Sequence, residues 1–273
     1  IHGGSYTTGS IGTTAGYYNG TQTAALAGDV VVVTVQYRLG ILGFGGADEL
    51  RGRDRARGST GNYGIQDQRS AMRWVRRNIG AFGGDPDNVM IFGESAGAGS
   101  VSMHLTMKDS FGLYAKAGLE SGAWSYWTAQ PMSIAAAQFK SLKRAMGCST
   151  LECLVDADAA KLTRVSSADI AAHNFTYGCQ FAPTVDGVEL SALPWDLRDE
   201  GKFNRDVPVL MGYNKDEGTI EVPAQFHKGQ GMTKSDYARF IATYMGGASG
   251  KARADASRLY AVSRSAGSLY TDY

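Results

Sequence analysis

The sequence predicts an α/β fold in which a mostly parallel sheet carries helices on both faces. Residues 29–38 form a continuous valine-rich run, which is typical of a strand buried on both faces. Residues 89–92 form a second apolar run directly before a turn that contains two glycines. Residues 65–79 lie between these runs and carry apolar side chains at helical spacing, so strand and helix alternate along the chain.

The first predicted helix covers residues 65–79. Its apolar stripe consists of Met72, Val75 and Ile79, spaced so that they share one face. The glycines and the proline of residues 83–86 end the helix before the strand at residues 89–92.

Three further elements follow. Residues 115–119 predict a strand, and residues 132–146 predict a helix that begins after a proline and stops at a glycine. Residues 208–213 predict another strand of the sheet. The loop at residues 214–218 then lies at the carboxyl edge, where the active-site residues of open α/β sheets gather.

The pentapeptide G-E-S-A-G at residues 93–97 places Ser95 on a sharp turn between a strand and a helix. Such a turn lifts the serine hydroxyl out of the sheet, and its glycines avoid collisions with both elements. A raised, unhindered hydroxyl beside a base is what nucleophilic catalysis requires. The pentapeptide alone is weak evidence in a chain with 36 glycines, so the prediction depends on its position between strand and helix.

A second motif opens the chain, where H-G-G-S-Y at residues 2–6 follows an apolar residue. Glycine-rich segments of this kind supply backbone N–H groups to the oxyanion hole of α/β hydrolases. The two motifs occur in the expected order, separated by the strand at 29–38 and the helix at 65–79. Together they predict the α/β-hydrolase fold with Ser95 as the nucleophile.

Composition limits the possible partners. A formal charge of +1 with 19% charged residues provides no electrostatic field for nucleic acid or an anionic membrane, and no apolar run is long enough to span a bilayer. We therefore expect a small-molecule substrate. No long linker or repeat divides the chain, which predicts one domain over residues 1–273. No metal-binding spacing or phosphate-binding loop occurs, so neither metal nor cofactor is expected.

The chain resembles a type-B carboxylesterase, the family that includes the cholinesterases. The resemblance is specific because F-G-G-D-P at residues 82–86 and G-E-S-A-G-A at residues 93–98 occur in register, a short strand apart. The matching stretches run nearly end to end, at residues 36–40, 61–69, 78–86, 92–99, 119–122 and 208–218.

This resemblance implies hydrolysis of carboxylic esters through an acyl-enzyme on Ser95. The family is considerably longer than 273 residues, and this chain starts at the oxyanion loop. We therefore expect an internal fragment of a partial catalytic domain, inactive when made alone. The alternative is a cholinesterase-like binding or adhesion domain without catalytic activity. The resemblance leaves the preferred ester and the oligomeric state open.

The acid of the triad must orient the histidine and stabilise its charged form. Glu217 and Asp216 both lie after the strand at 208–213 and C-terminal to Ser95, in the order described for this fold. Chemistry alone does not separate them. The resemblance favours Glu217, because the type-B family uses the glutamate before this glycine.

No histidine of the chain has the Gly-x-x-His setting of the family's catalytic base. His104 lies nine positions after Ser95, half a turn out of phase on a helix, which predicts a packed side chain facing away from the nucleophile. His2 belongs to the oxyanion loop and His173 to another loop. His227 follows the predicted acid too closely for the intervening helix and strand, so the base is expected beyond the last residue.

The resemblance assigns the oxyanion donors to the backbone N–H groups of Gly4, Ser5 and Ala96. Ser5 departs from the glycine usual in the family, although its N–H remains. Glu94, beside the nucleophile, either tunes the histidine electrostatically or is a structural carboxylate. Trp124 and Trp127 are candidates for the acyl pocket and equally for core packing.

Other residues are given structural roles. Arg38 and Asp85 are expected, from the resemblance, to form a buried ion pair. Cys148 and Cys153 stand where the family carries a short-loop disulfide, although this loop is shorter than usual. Cys179 is then unpaired or pairs outside the chain. Glycosylation sequons at residues 19–21 and 174–176 are compatible with a secreted protein.

Overall fold

The computed structural model describes residues 1–12, 16–169, 181–217 and 250–259, together with the single positions 235, 238, 239 and 242. The chain divides into two compact units, Ile1–Gly212 and Tyr213–Tyr273. The expectation of a single domain over residues 1–273 stays a prediction.

The main sheet lies in the first unit and is parallel, as predicted. Its strands are β1 (Met90–Glu94), β2 (Lys116–Glu120) and, after two short strands, β5 (Val209–Gly212), in the order β1, β2, β5. Glu94 pairs with Glu120, and Glu120 pairs with Gly212, so all three strands end at the same edge. Of the four strands expected from the sequence, those at residues 89–92, 115–119 and 208–213 are confirmed.

A second, two-stranded parallel pair joins β3 (Gln130–Pro131) to β4 (Thr184–Val185). Among the described residues, no helix is long and apolar enough to cross a membrane. Three short 3₁₀ helices cover Asp48–Arg53, Ile79–Phe82 and Lys108–Ser110. The described α-helices are α1 (Thr21–Ala27), α2 (Gly40–Phe44), α3 (Tyr63–Asn78), α4 (Ala96–Thr106), α5 (Met132–Ala145), α6 (Leu151–Val155), α7 (Ala159–Asp169), α8 (Pro194–Asp199) and α9 (Gly250–Leu259).

The predicted helices at residues 65–79 and 132–146 are confirmed as α3 and α5. The stripe residues Met72, Val75 and Ile79 are all buried, which explains why this segment folds as an amphipathic helix.

Helix α4 lies at the centre of the first unit, and every one of its residues is buried. Its Met103 packs into one apolar cluster with Tyr6 and Phe44, whereas Val101 and Leu105 pack into a second cluster. Most residues of α4 are small or apolar, as such a position requires, and its buried serine, histidine and threonine side chains are hydrogen-bonded. The helix after Ser95 therefore connects both parts of the core.

The prediction of a buried strand over residues 29–38 is wrong. Residues 30–39 form no regular secondary structure, and Val30, Val31 and Val33 are 46, 42 and 38% exposed. Valine favours a strand only where a neighbouring strand takes up the backbone N–H and C=O groups. Within the described residues, the main sheet ends at β1 and no strand pairs with this run.

The expected disulfide is confirmed, since Cys148, in the connection between α5 and α6, is joined to Cys153 of α6. Their Cα atoms lie 5.5 Å apart, within the range of ordinary disulfides. Cys179 and the sequon at residues 174–176 lie outside the described residues.

Peptide mapping without reductant should recover the peptides of Cys148 and Cys153 as one cross-linked species, from protein made in an oxidising compartment. The same species should appear in a Cys179→Ala variant, because the bridge needs no third thiol. Recovery of both cysteines in alkylated form, without prior reduction, would contradict the assignment.

Candidate active site

Ser95 stands alone between β1 and α4, with φ 56° and ψ −122°. For a residue with a Cβ this left-handed region costs on the order of 1–3 kcal/mol, and it persists only where the surroundings enforce it. The N–H of Ser95 donates to the Glu120 carbonyl at 2.9 Å, which ties the turn to the end of β2. The predicted sharp turn at the serine is confirmed.

Two glycines allow other segments to approach this turn. A Cβ on Gly97 would lie 2.2 Å from the carbonyl oxygen of Ile1, and a Cβ on Gly122 would lie 2.2 Å from the carbonyl oxygen of Ser95. Both distances are far below a normal contact distance, and the atoms met are backbone atoms, which cannot move aside. The turn is therefore enclosed by backbone on two sides, which only glycine permits.

The loop at residues 2–6 runs beside the nucleophile. A Cβ on Gly3 would lie 3.2 Å from the Cβ of Ser95, so the two segments are in direct contact. Gly4, Ser5 and Tyr6 have φ values of 109°, 52° and 59°, and the Gly4 carbonyl accepts bonds from the N–H groups of Thr7 and Thr8. Positive φ angles at three successive residues make the turn tight and leave its backbone few other conformations.

The predicted oxyanion donors are Gly4, Ser5 and Ala96. In the described part of the chain, no acceptor takes up their N–H groups. Ala96 is the first residue of α4, where an N–H has no partner within the helix and carries partial positive charge. The fold thus brings the loop and the helix start to Ser95, and their role as donors stays a prediction.

Two tyrosines hold this loop, and the sequence analysis missed both. The hydroxyl of Tyr18 accepts the Gly3 N–H at 3.0 Å, and the hydroxyl of Tyr37 donates to the His2 carbonyl at 2.7 Å. The His2 ring stacks on Tyr37 with the ring centres 4.3 Å apart. Tyr37 belongs to the matching stretch at residues 36–40, whereas nothing in the sequence marks Tyr18.

His104 is a packed helix histidine, as predicted. Its ring is fully buried, with Nδ1 2.8 Å from Ser110 Oγ and Nε2 3.0 Å from Gln68 Oε1. Burial, with the nearby Arg69 charge, lowers the pKa of His104 to about 3. A ring that is neutral and bonded on both sides has no nitrogen left for Ser95.

The two histidines among the described residues, His2 and His104, are both engaged away from Ser95. The Nδ1 of His2 donates to the Gly3 carbonyl, and burial lowers the pKa of this histidine. Neither His2 nor His104 has a hydrogen bond to the Ser95 hydroxyl. His173 and His227 lie outside the described residues.

The predicted acid, Glu217, lies in the exposed turn that follows β5. Its Oε1 accepts the N–H of Asn214 at 2.7 Å, which closes the turn at residues 214–217. Asp216 is exposed in the same turn. The choice between Glu217 and Asp216 stays a prediction.

Trp124 packs in the second apolar cluster and meets the Phe203 ring edge-on at 5.7 Å. Trp127 is partly buried against the first cluster. These contacts account for both side chains as core residues, and a role in an acyl pocket stays a prediction.

The expected pair of Arg38 with Asp85 is wrong. Arg38 instead makes a two-pronged contact with Asp67, at 2.7 Å from Nε and 2.8 Å from Nη2, and its side chain is 52% exposed. Asp85 caps its own turn by accepting the Asp87 N–H. Asp67 follows Tyr63 by one helical turn on α3, and this places it over Arg38, whose Nη2 also reaches the Tyr63 carbonyl.

No group of three or more His, Cys, Asp or Glu side chains within the described ranges could hold a metal ion.

The serine follows a strand of a parallel sheet, has a left-handed backbone conformation and directly precedes a helix, with a glycine-rich loop beside it. These features together define an α/β hydrolase. The carboxylesterase family matches residues 1–261, and the chain belongs to this family.

Comparison with individual proteins supports membership of this family. The chain is 36% identical over 230 residues to a cholinesterase of Mus musculus, covering 80% of this chain and 36% of that protein. It is 35% identical over 259 residues to a bile salt-activated lipase of Rattus norvegicus, covering 88% and 40%. A solved PNB esterase superposes with a TM-score of 0.80 at 33% identity, over 95% of this chain and 52% of that structure. The chain thus spans about half or less of the length of these relatives.

His104 should make the stability of the protein depend on pH. Its pKa is about 3 in the folded state and about 6.5 in the unfolded chain, so the unfolded state binds the extra proton between these values. The free energy of unfolding should fall as the pH drops below about 6.5, by at most about 1.4 kcal/mol per pH unit from this group.

The measurement is urea unfolding of the wild type and of His104→Gln between pH 7 and pH 5. Carboxylates common to both proteins cancel in the difference. An equal slope in the two proteins would show that His104 is not buried in its neutral form.

Proposed function

We propose that the protein hydrolyses carboxylic esters through an acyl-enzyme on Ser95. The left-handed backbone of Ser95, with the H-G-G-S-Y loop in contact with it, is the observation that supports the proposal most directly. On the strand-to-helix turn of an α/β hydrolase, such a strained backbone aims the serine hydroxyl out of the sheet. Membership of the carboxylesterase family supports the same reaction.

The chemistry follows from this arrangement. The Ser95 oxygen attacks the ester carbonyl while a histidine outside the described residues takes its proton. The negative charge that develops on the carbonyl oxygen is stabilised by the N–H groups of Gly4, Ser5 and Ala96, each worth roughly 3–4 kcal/mol in the transition state. Return of the proton releases the alcohol, and water then cleaves the acyl group from Ser95 by the reverse sequence.

Glu217 is the proposed partner of that histidine. The turn at residues 214–217 begins where β5 ends, and its Asn214–Glu217 bond keeps the turn ordered. A carboxylate there would hold the imidazole in the required tautomer and stabilise its charged form. Glu94, next to the nucleophile, is the second carboxylate proposed to influence the histidine.

The proposed substrate is a small carboxylic ester, and the proposed location is outside the cell. The disulfide between Cys148 and Cys153 supports an oxidising compartment. The exposed sequon at Asn19 is compatible with it. The names of the relatives, a cholinesterase and a bile salt-activated lipase, point to different esters, so they support the reaction and not one particular substrate.

A fluorophosphonate probe should label the full-length protein at Ser95, and Ser95→Ala should lose labelling together with at least about 10⁴-fold of ester turnover. Ser121 provides a matched control, because it also ends a strand with a left-handed backbone, at φ 54°. Ser121→Ala should still be labelled at Ser95. Labelling or turnover that persists in Ser95→Ala would exclude Ser95 as the nucleophile, and folded protein without either would favour a binding domain.

The acid is tested by Glu217→Gln and Asp216→Asn. Loss of the charge that orients the histidine should lower kcat by roughly 10³–10⁴-fold in Glu217→Gln, whereas Asp216→Asn should stay within about fivefold of the wild type. Steady-state kinetics with a short-chain nitrophenyl ester gives both values. A larger loss in Asp216→Asn would reverse the assignment.

A further inference from the structure

A continuous row of buried polar side chains leads from α3 to the first turn of α4. We call it the polar chain, and its members are Arg69, Ser110, His104, Gln68 and Ser100. Ser110, His104, Gln68 and Ser100 have no exposed surface, and Arg69 is 2% exposed. Polar groups buried this deeply are costly unless each has a partner.

The direction of every bond near Arg69 follows from its guanidinium, which can only donate. Its Nε donates to Ser110 Oγ at 3.1 Å, so the Ser110 hydroxyl is free to donate to His104 Nδ1 at 2.8 Å. The neutral His104 ring must then carry its proton on Nε2, and this N–H donates to Gln68 Oε1 at 3.0 Å.

The second half of the polar chain continues in the same direction. The amide Nε2 of Gln68 donates to Ser100 Oγ at 2.9 Å, and the Ser100 hydroxyl donates to the Ala96 carbonyl at 2.9 Å. Donors and acceptors therefore match at every step from Arg69 to Ala96, and the row ends on the residue next to the nucleophile.

The far end of the polar chain is anchored by charge. Nη2 of Arg69 lies 2.6 Å from Glu189 Oε2, and both side chains are 3% exposed. Asp109 Oδ2 lies 3.8 Å from Nη1 of Arg69, and Arg57 pairs with both acids. These ion pairs fix the orientation of the Arg69 guanidinium. The hydrogen bonds of the polar chain therefore keep the direction that its Nε–H sets.

The first turn of α4 is thus held from two sides. The backbone of Ile1 packs directly on Gly97, and Ser100 holds the carbonyl of Ala96 from within the core. We propose that Gln68 and Ser100 are positioning residues that fix Ala96, and with it an oxyanion donor, relative to Ser95. This role rests on the proposed function, since Ala96 matters for catalysis only if Ser95 is the nucleophile.

The proposal assigns the effect to the transition state. A donor that binds the oxyanion acts on charge that develops only during the reaction, so its displacement lowers kcat and leaves KM nearly unchanged. A small displacement of catalytic groups is enough to reduce the rate markedly.

Ser102 supplies a matched control on the same helix. It is as fully buried as Ser100, and its hydroxyl also donates to a carbonyl of α4, that of Gly99, at 2.7 Å. It is not a member of the polar chain. Ser100→Ala and Ser102→Ala therefore each remove one buried hydroxyl from α4, and only Ser100→Ala interrupts the connection to Ala96.

The test compares these two variants in the full-length protein, with kcat and KM for a short-chain nitrophenyl ester and the unfolding midpoint in urea. Ser100→Ala should lower kcat about tenfold with KM within about twofold of the wild type, whereas Ser102→Ala should leave kcat within about twofold. Ser100→Ala should also lose more stability than Ser102→Ala, because it leaves the buried Gln68 amide without its acceptor. Equal effects of the two on kcat, with turnover dependent on Ser95, would overturn the positioning role alone.

A second measurement does not depend on activity. Ring-nitrogen NMR of ¹⁵N-histidine-labelled protein, with His104 assigned through His104→Gln, should show its proton on Nε2 at pH 7. A proton on Nδ1 would overturn the direction of the polar chain and with it the proposal. Ester turnover that persists in Ser95→Ala would instead overturn the proposed function, and the positioning role with it.

Discussion

The left-handed backbone of Ser95 is the constraint on which the rest of the first unit depends. It reverses the chain between β1 and α4 within one residue, so the helix begins directly above the sheet. The strain in that residue is compensated by close packing, since Gly97 lies against Ile1 and Gly122 against the Ser95 carbonyl. The side chain that is proposed to react is therefore held by backbone contacts from segments far apart in sequence.

Three consecutive residues of α3 explain how the neighbouring segments are held in register with that turn. Asp67 binds Arg38, Gln68 joins the polar chain that ends at Ala96, and Arg69 binds Glu189. Successive positions on a helix point about 100° apart, so each can serve a different segment. The helix thus links the segment that precedes α2, the helix behind the nucleophile and a loop more than a hundred residues later.

A histidine close to a nucleophile can act as a general base or as a structural residue, and the hydrogen bonds of its ring decide between the two roles. His104 lies on the helix that follows the nucleophile, yet both of its ring nitrogens are used within the core and its low pKa keeps it neutral. A general base needs a free nitrogen and a pKa near the working pH. The surroundings of His104 make it a structural element of the helix instead.

The sequence by itself determined the features that depend on neighbouring residues. The order of strand, turn and helix around Ser95, the strands at β2 and β5, the helices α3 and α5 and the packed state of His104 all follow from spacing along the chain, because periodicity and glycine positions act locally. The tertiary structure decided whatever requires a distant partner. Within the part of the chain that the structure describes, residues 30–39 have no neighbouring strand. Arg38 pairs with Asp67 rather than Asp85, and the polar chain is assembled from α3, α4 and the 3₁₀ helix at Lys108–Ser110. A local pattern shows which face of an element is apolar, whereas a hydrogen bond or an ion pair depends on what the folded chain brings opposite that face.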